Sequence, residues 1–556
     1  MRHAYIIGVL LGSLSTASAA ELTIRKVAMT GDEAPGTGGL HLRFLGGQPL
    51  ISRTGIVSFG GAYGPIGSPD GGSGLWRQPF GESATLVAAR GMTAIGTGGG
   101  SFDEVGSALI NAAGDMAFHG RLKYDSSLGI DHTNWEGLFV ADAAGRSSLT
   151  ARQGATAPGS GGGVFAHLRE GNWWQQSFNS AGHMLFMADT QIVNRAPDGS
   201  VISAQRGGEG IWQSDASGQL SMLAQSSKAA PGVGEARFGI LSPAFGYTLG
   251  LNDSGRTAFA ATLYGPGVTT SNDSGVWATD PSGAPQLLVR EGDATPGIAG
   301  GVFLGLIDPA INGAGELVFF ATHRVGGQNR NAVWRANAEG NISTIVEQGD
   351  PAPGGREFVW TGDYPFINSQ GRAAFRATLR SPAGSSESSL WTETAAGQLL
   401  MLGREGLDAP EASGADFDKF SLPSINARGD VLLNASLQQG ENGVTVANDD
   451  GVWLYHAPLN EMLLLARTGM LWDVNDDPAI EEFRTISWVG ATSGSGGEDG
   501  RRNGLSDAGE VLLYMTFADG SVGLFVVQAV PELSAFWLAA TGSCYIAARR
   551  RSSRDR

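Results

Sequence analysis

The sequence predicts an all-β fold, a β-propeller of eight four-stranded blades closed by its N-terminal strand. Three observations lead there. A turn motif recurs eight times, a Gly-Leu-Trp-like segment follows each copy, and the two ends of the repeated region are complementary parts of one unit.

The turn motif is an apolar residue followed by Asn-x-x-Gly. It reads Ile110-Asn111-Ala112-Ala113-Gly114, Phe178-Asn179-Ser180-Ala181-Gly182, Leu251-Asn252-Asp253-Ser254-Gly255 and Ile311-Asn312-Gly313-Ala314-Gly315. It continues as Ile367-Asn368-Ser369-Gln370-Gly371 and Ile425-Asn426-Ala427-Arg428-Gly429. Degenerate copies at Ile51–Gly55 and Leu505–Gly509 complete the eight, with Gly-to-Gly spacings of 56 to 80 residues. Asn and Gly tolerate positive φ and so close a tight hairpin. The residues beyond alternate apolar and polar, as in Asp115-Met116-Ala117-Phe118-His119-Gly120, which is the period of a strand.

The second motif supplies Trp76, Phe139, Trp212, Trp277, Trp334, Trp391, Trp453 and Phe525. An aromatic that recurs in every unit is expected in the core between blades. A turn such as Asp280-Pro281-Ser282-Gly283 then leads to a fourth strand ending in Arg-Glu-Gly-Asp or a variant. An Ala-Pro-Gly segment crosses to the next unit. The last unit stops after a third strand at Gly523–Gln528, while the chain starts with an unpartnered fourth strand, Glu21–Thr30. Pairing the two removes both open edges. A β-solenoid or a string of small β-domains would also repeat, but neither calls for complementary ends.

Composition agrees. Gly 85 with 42% hydrophobic residues and Trp 13 means many turns around a packed core. Of 37 basic and 54 acidic residues, six and two lie outside 21–529, leaving a body of about −21. That charge argues against nucleic acid and anionic lipid as partners. The single cysteine, Cys544, lies in the C-terminal apolar stretch, so the body holds no disulfide, thiol nucleophile or thiolate metal site.

Both ends predict export. Arg2 and His3, the apolar run Ala4–Leu14 and the small residues Ala17-Ser18-Ala19 read as a signal peptide cleaved after Ala19. At the other end Val530-Pro531-Glu532 precedes an uncharged stretch, Leu533–Ala548, and then Arg549, Arg550 and Arg551. An apolar run backed by arginines should stop in the membrane with the arginines in the cytoplasm. This order resembles the PEP-CTERM sorting signal. The resemblance implies an exosortase-type processing enzyme as partner, a transient or permanent membrane helix, and display on a bacterium that makes exopolysaccharide. Leu533 stands where that signal has its second proline, which bears on processing more than on display. The repeats resemble bacterial "choice-of-anchor" proteins with an NxxGxxAF motif, matched by Asn252–Phe259 and Asn368–Phe375. That resemblance implies surface display and carries no established activity.

No catalytic motif stands out. The histidines make no His-x-His or His-x-x-x-His pair, and neither a Gly-x-Ser-x-Gly elbow nor a P-loop is present. Asp473, Asn475 and Asp477 begin like a calcium loop, but Pro478 and Arg484 stand at the glycine and glutamate positions. Calcium is the one cofactor this leaves open. The Arg-Glu-Gly-Asp segments read as hydrated strand ends that could place carboxylates around a rim. Binding is expected on the segments that break the repeat: 169–176 with adjacent Trp173 and Trp174, 124–135, 472–482 and 493–503. Trp173 and Trp174, if exposed, suit stacking on sugar rings. The expected function is therefore non-enzymatic: binding of extracellular polysaccharide or a surface protein, or a purely structural role in envelope or biofilm matrix. A propeller hydrolase or lyase acting on polysaccharide is the alternative. An acid cluster with Arg or His at the channel mouth would favour the alternative.

Overall fold

A computed structural model describes residues 8–9, 21–68, 70–168, 176–195, 201–241, 249–362, 364–440, 442–475 and 479–530. Their strands form eight sheets arranged as the blades of a propeller. Blade 1 is His41–Ile51, Val57–Gly64, Gly72–Gln78 and Thr85–Ala89, hydrogen-bonded in that order. Blade 5 repeats it with Val302–Ile311, Leu317–Val325, Gln328–Ala336 and Ile342–Glu347. In blades 3, 4, 6 and 7 the first strand is broken into pieces that pair with the same second strand. The one helical turn among the described residues is Ser126–Leu128.

Closure is as expected from the ends. Blade 8 contains Phe483–Ala491, Glu510–Phe517 and Val522–Val530, and Glu21–Met29 adds its fourth strand antiparallel to the last of these. Ala28, Leu512, Leu524 and Val526 of blade 8 then share one core with Phe59 and Trp76 of blade 1. The solenoid and the tandem-domain alternatives are excluded by this pairing.

The repeated aromatics are core. Trp76, Trp212, Trp277, Trp334, Trp391 and Trp453 are all fully buried. Trp277 stacks on Phe259 at 6.0 Å and meets Phe238 edge-on at 5.0 Å. The glycine of Gly-Leu-Trp has a steric reason. A Cβ on Gly210 would stand 2.4 Å from the Trp212 ring, which lies flat over it. The indole N–H has a job too. Nε1 of Trp76, Trp212, Trp277 and Trp453 donates to the carbonyls of Pro35, Pro158, Pro231 and Pro410 at 2.9–3.1 Å. The third strand is thereby tied to the Ala-Pro crossover that enters its blade.

The asparagines do more than turn. Oδ1 of Asn312 accepts from the N–H of Glu316 at 3.0 Å, closing its own hairpin. Its Nδ2 donates to the Asn368 carbonyl in the next blade at 3.0 Å. The same reach joins Asn111 to Asn179, Asn179 to Asn252, Asn252 to Asn312, Asn368 to Asn426 and Asn426 to Ser506. Where serine replaces asparagine the belt is completed otherwise. The Asp507 N–H donates to the Arg53 carbonyl at 2.8 Å, and Thr54 Oγ1 to the Ala112 carbonyl at 2.7 Å.

Because Asn312 is fully buried, Asn312→Ala strands polar groups of two blades. The expected cost is about 1–3 kcal/mol, read as a lower urea midpoint with an unchanged slope. An unchanged midpoint would mean that the belt contributes nothing.

Candidate functional site

The segment 493–503 was expected to be a variable binding loop. It is a plug. Leaving the first strand of blade 8, it turns inward and bonds to the first strands of the other blades. The Gly500, Asp499 and Asn503 carbonyls accept from the N–H groups of Phe178, Leu251 and Ile51 at 2.7, 2.9 and 3.0 Å. Arg501 Nε and Nη2 donate to the carbonyls of Leu249 and Pro309 at 2.6 and 2.8 Å. One short segment thus touches blades 1, 3, 4 and 5 at once, which places it on the propeller axis, at the end carrying the Asn-x-x-Gly hairpins. Ser495, Asp499, Arg502 and Asn503 are buried there.

An acid–arginine cluster of the kind that would favour a hydrolase does occur beside the plug. Arg53 Nη1 lies 3.1 Å from Asp253 Oδ2 and 3.5 Å from Glu498 Oε1, and its Nε lies 3.2 Å from Asp507 Oδ2. Burial raises the Glu498 carboxyl above its ordinary range while Arg53 opposes that shift. These groups are already engaged. Asp253 Oδ1 accepts from the Ser180 N–H and Asp507 Oδ1 from the Ala427 N–H, at 2.8 and 3.0 Å. The space beside them is about 10 Å³, room for one water and no substrate. The cluster holds the plug in place.

With that end filled, the axis becomes a blind funnel open on the opposite face. A cavity of about 670 Å³ lies where blades 7, 8 and 1 meet, with Thr492 and Ser493 of the plug in its lining. Phe44, Lys419 and Trp488 also line it. These three hold the same place in the repeat, two residues beyond a buried Leu42, Phe417 and Ile486. The other blades put Glu104, His167, Ile240, Gly305 and Trp360 there. A strand would normally return i and i+2 to one face. Here a register shift between Leu42 and Phe44, Phe358 and Trp360, and Ile486 and Trp488 sets two residues against one. Such a bulge turns the second side chain outward. Phe44 is 55% exposed, Trp488 45% and Trp360 42%.

Trp488 is held in position. Tyr514 meets it edge-on at 5.6 Å, and Tyr514 Oη donates to the Leu45 carbonyl of blade 1 at 3.1 Å. A Cβ on Gly490 would lie 2.6 Å from the indole, so the ring rests on that glycine.

Of the residues singled out in the sequence, Trp173, Trp174, Asp477, Pro531, Glu532, Arg549, Arg550, Arg551, Ala17 and Ala19 lie outside the described residues. Val530 ends the third strand of blade 8. Asp473 Oδ1 accepts from the N–H groups of Asn475 and Glu482 at 3.1 and 3.0 Å, closing its own loop. Trp472, expected in an insertion, instead sits in the short strand Leu471–Asp473, buried edge-on against Phe525. Among the described residues no group of three or more His, Cys, Asp or Glu could hold a metal ion. No helix among them is long and apolar enough to cross a membrane.

One Arg-Glu-Gly-Asp segment departs from the hydrated end expected of it. Glu291 is buried, and Oε2 accepts from the Asp273 N–H at 3.2 Å and from Ser274 Oγ at 3.3 Å. Burial, reinforced by Asp273, pushes its carboxyl up to about 7.

A family model matches residues 13–399 and again 203–537. The chain belongs to the family of unknown function DUF7453. That one model fits at two overlapping places is in keeping with the repeat. No curated protein matches the chain. Among solved structures, an acylaminoacyl peptidase of Pyrococcus horikoshii is similar over 78% of this chain at 10% identity and a TM-score of 0.35. The chain covers only 54% of that peptidase. The polysaccharide lyase Uly1 is similar over 87% of this chain and 90% of its own, at 9% identity and 0.31. A Trypanosoma rangeli sialidase is similar over 94% of this chain and 61% of its own, at 10% and 0.29. Likeness at that level says nothing of chemistry, and the fold rests on the strand pairing above.

Two predictions follow from the buried groups. Gly500 has φ +67, and a Cβ there would meet the Phe178 nitrogen at 2.9 Å and the Leu251 oxygen at 3.0 Å. Gly500→Ala should loosen the plug by about 2 kcal/mol or more and open Arg501 and Arg502 to trypsin, where the native chain, with both side chains buried, should resist cleavage. For Glu291 the folded carboxyl holds its proton above the ordinary value near 4.3, so its contribution to stability falls as pH climbs from about 4 and is fully lost above about 7. Glu291→Gln should therefore gain on the native chain in urea midpoint between pH 5 and pH 8, and parallel pH curves would refute the burial cost.

Proposed function

We propose that the chain is an exported surface protein that binds extracellular polysaccharide, without transforming it, in the blind funnel at the propeller axis. The observation that carries this is the pair Phe44 and Trp488, exposed across one cavity of about 670 Å³. An exposed aromatic pair fixed by its neighbours offers flat apolar faces for the C–H side of sugar rings. Trp360, which meets Phe320 at 5.0 Å, repeats the arrangement in blade 6. Fixed rings lose little freedom on binding, so such a site holds a chain without a lid.

Export and sorting rest on the signal-like N-terminus and on the PEP-CTERM-like tail beginning at Val530. They put the funnel where exopolysaccharide is found. In the second reading, hydrolysis or elimination on a polysaccharide, acid and base would come from the same mouth, where His167 Nδ1 lies 2.8 Å from Glu136 Oε2. Turnover of a bound glycan would favour it.

The test is a glycan array probed with the chain recovered from the medium, whose N-terminus should be Ala20. Trp488→Ala and Phe44→Ala should each weaken glycan binding at least about tenfold, the range of one lost stacking contact, with unchanged circular dichroism. Binding that depends only on Trp173 and Trp174 would move the site away from Phe44 and Trp488, and no binding at all would reject the reading.

A further inference from the structure

Phe44 also lines a second cavity, about 620 Å³, between blades 1 and 2. Its chemistry is unlike that of the first. Arg43, Arg90 and Arg121 converge there with Asp103 and Glu104. Arg121 Nη2 holds Asp103 Oδ2 at 3.1 Å and Glu104 Oε2 at 2.7 Å, and Arg90 Nη2 lies 3.6 Å from Asp103 Oδ1. Two carboxylates are thus shared by two arginines. Arg43 stands apart. Its Nη1 donates to the Asp70 carbonyl at 3.0 Å, and no described carboxylate lies within 4.0 Å of it. Three cations against two anions leave one uncompensated positive charge in a cleft, on a chain whose net charge is −17.

Such a local reversal of sign has a reading in terms of recognition. Against an acidic background a basic cleft draws an anion to one place. A guanidinium fork pairs with carboxylate and sulfate oxygens in two parallel hydrogen bonds. Tyr63 also lines the cleft, and its hydroxyl makes no hydrogen bond with another described residue, so it adds a neutral donor. Burial raises that phenol above its ordinary range, and it stays protonated at physiological pH. Phe44 lines both this cleft and the cavity beside the plug.

We propose that the cleft between blades 1 and 2 takes an anionic substituent of the bound polysaccharide, a uronate carboxylate or a sulfate ester, on Arg43 and Arg90, while a neighbouring sugar of the same chain stacks on Phe44. This rests on the glycan-binding reading and names its substrate class: an acidic polysaccharide, read by charge on one side of Phe44 and by ring stacking on the other.

The experiment is calorimetric titration of the full chain with three hexasaccharides: oligogalacturonate, a sulfated oligogalactan, and the same galactan desulfated. At least one acidic hexamer should bind about tenfold or more tighter than the neutral one, with an advantage that shrinks in high salt. Arg43→Gln, at an exposed side chain, should remove about tenfold of that advantage and leave neutral binding unchanged, and Arg90→Gln should act in the same direction. Preference for the uronate or for the sulfate identifies the anion. Equal binding of acidic and neutral hexamers, or an acidic preference untouched by both variants, overturns the acidic subsite and leaves the glycan reading standing. Binding of none of the three overturns both.

Discussion

Everything in this propeller hangs on an amide that serves two blades. Each inner hairpin needs an acceptor for the backbone N–H that its turn leaves over, and in six of the eight asparagine Oδ1 provides it. The same side chain has a donor to spare, and Nδ2 delivers it to the carbonyl of the next hairpin. Aspartate could accept but not donate, and serine reaches only the first of these partners, as Ser52 does in bonding the Ile56 N–H at 3.1 Å. Each bond contributes about 0.5–1.5 kcal/mol net, but the geometry matters more than the sum. A belt of identical links fixes each blade's angle to its neighbour. Without disulfides in the body, that angle has to be set by packing and by this belt.

Belt and plug depend on one another. A ring of eight inner strands leaves an axis too wide for their own side chains to fill, and its backbone groups would face water. The glycine-rich segment 492–503 meets those groups with its own backbone and with Arg501. Glycine suits the place because the plug approaches the strands main chain to main chain. Arg53 and its three carboxylates pin the plug where it passes the belt. The consequence for function is geometric. A plugged axis has one mouth, lined by one set of side chains, those on the face opposite the hairpins.

Much of the fold was legible because it is repeated. Eight copies of Asn-x-x-Gly and of Gly-Leu-Trp average out the accidents of any one strand, and the unequal ends at Glu21 and Val530 state the closure directly. The plug was misread as a surface loop because a run such as Ser493-Gly494-Ser495-Gly496-Gly497 has the composition of a linker, and nothing local tells a solvated linker from one packed against backbone. The site was missed for a sharper reason. In Phe358-Val359-Trp360 and Ile486-Ser487-Trp488 the alternation of a strand places both apolar residues on the core face. A bulge breaks the alternation after the first, and a bulge leaves no mark in a pattern of apolar and polar residues. The adjacent Trp173 and Trp174 attracted notice by departing from the repeat, whereas Trp488 and Trp360 sit inside it.

The repeat also separates scaffold from site without reference to any other protein, since eight blades are eight trials of one design. At the position before the bulge the blades carry Leu42, Phe102, Phe165, Phe238, Phe303, Phe358, Phe417 and Ile486, all large, apolar and buried. Two residues on they carry Phe, Glu, His, Ile, Gly, Trp, Lys and Trp. No requirement of packing could produce that second series, for it spans both charges, the smallest side chain and the largest. The bulge turns these positions out of the core while they keep their partners in the ladder, Phe44 opposite Ala62 and Trp488 opposite Thr516, and so makes their side chains free to differ. A propeller that needed only to stand as a spacer in a matrix would have no use for large fixed aromatics at such positions, where small polar residues cost less in water. That three of the eight are exposed aromatics, two of them flanking one cavity beside the plug, is the observation on which the proposed recognition at the funnel mouth rests.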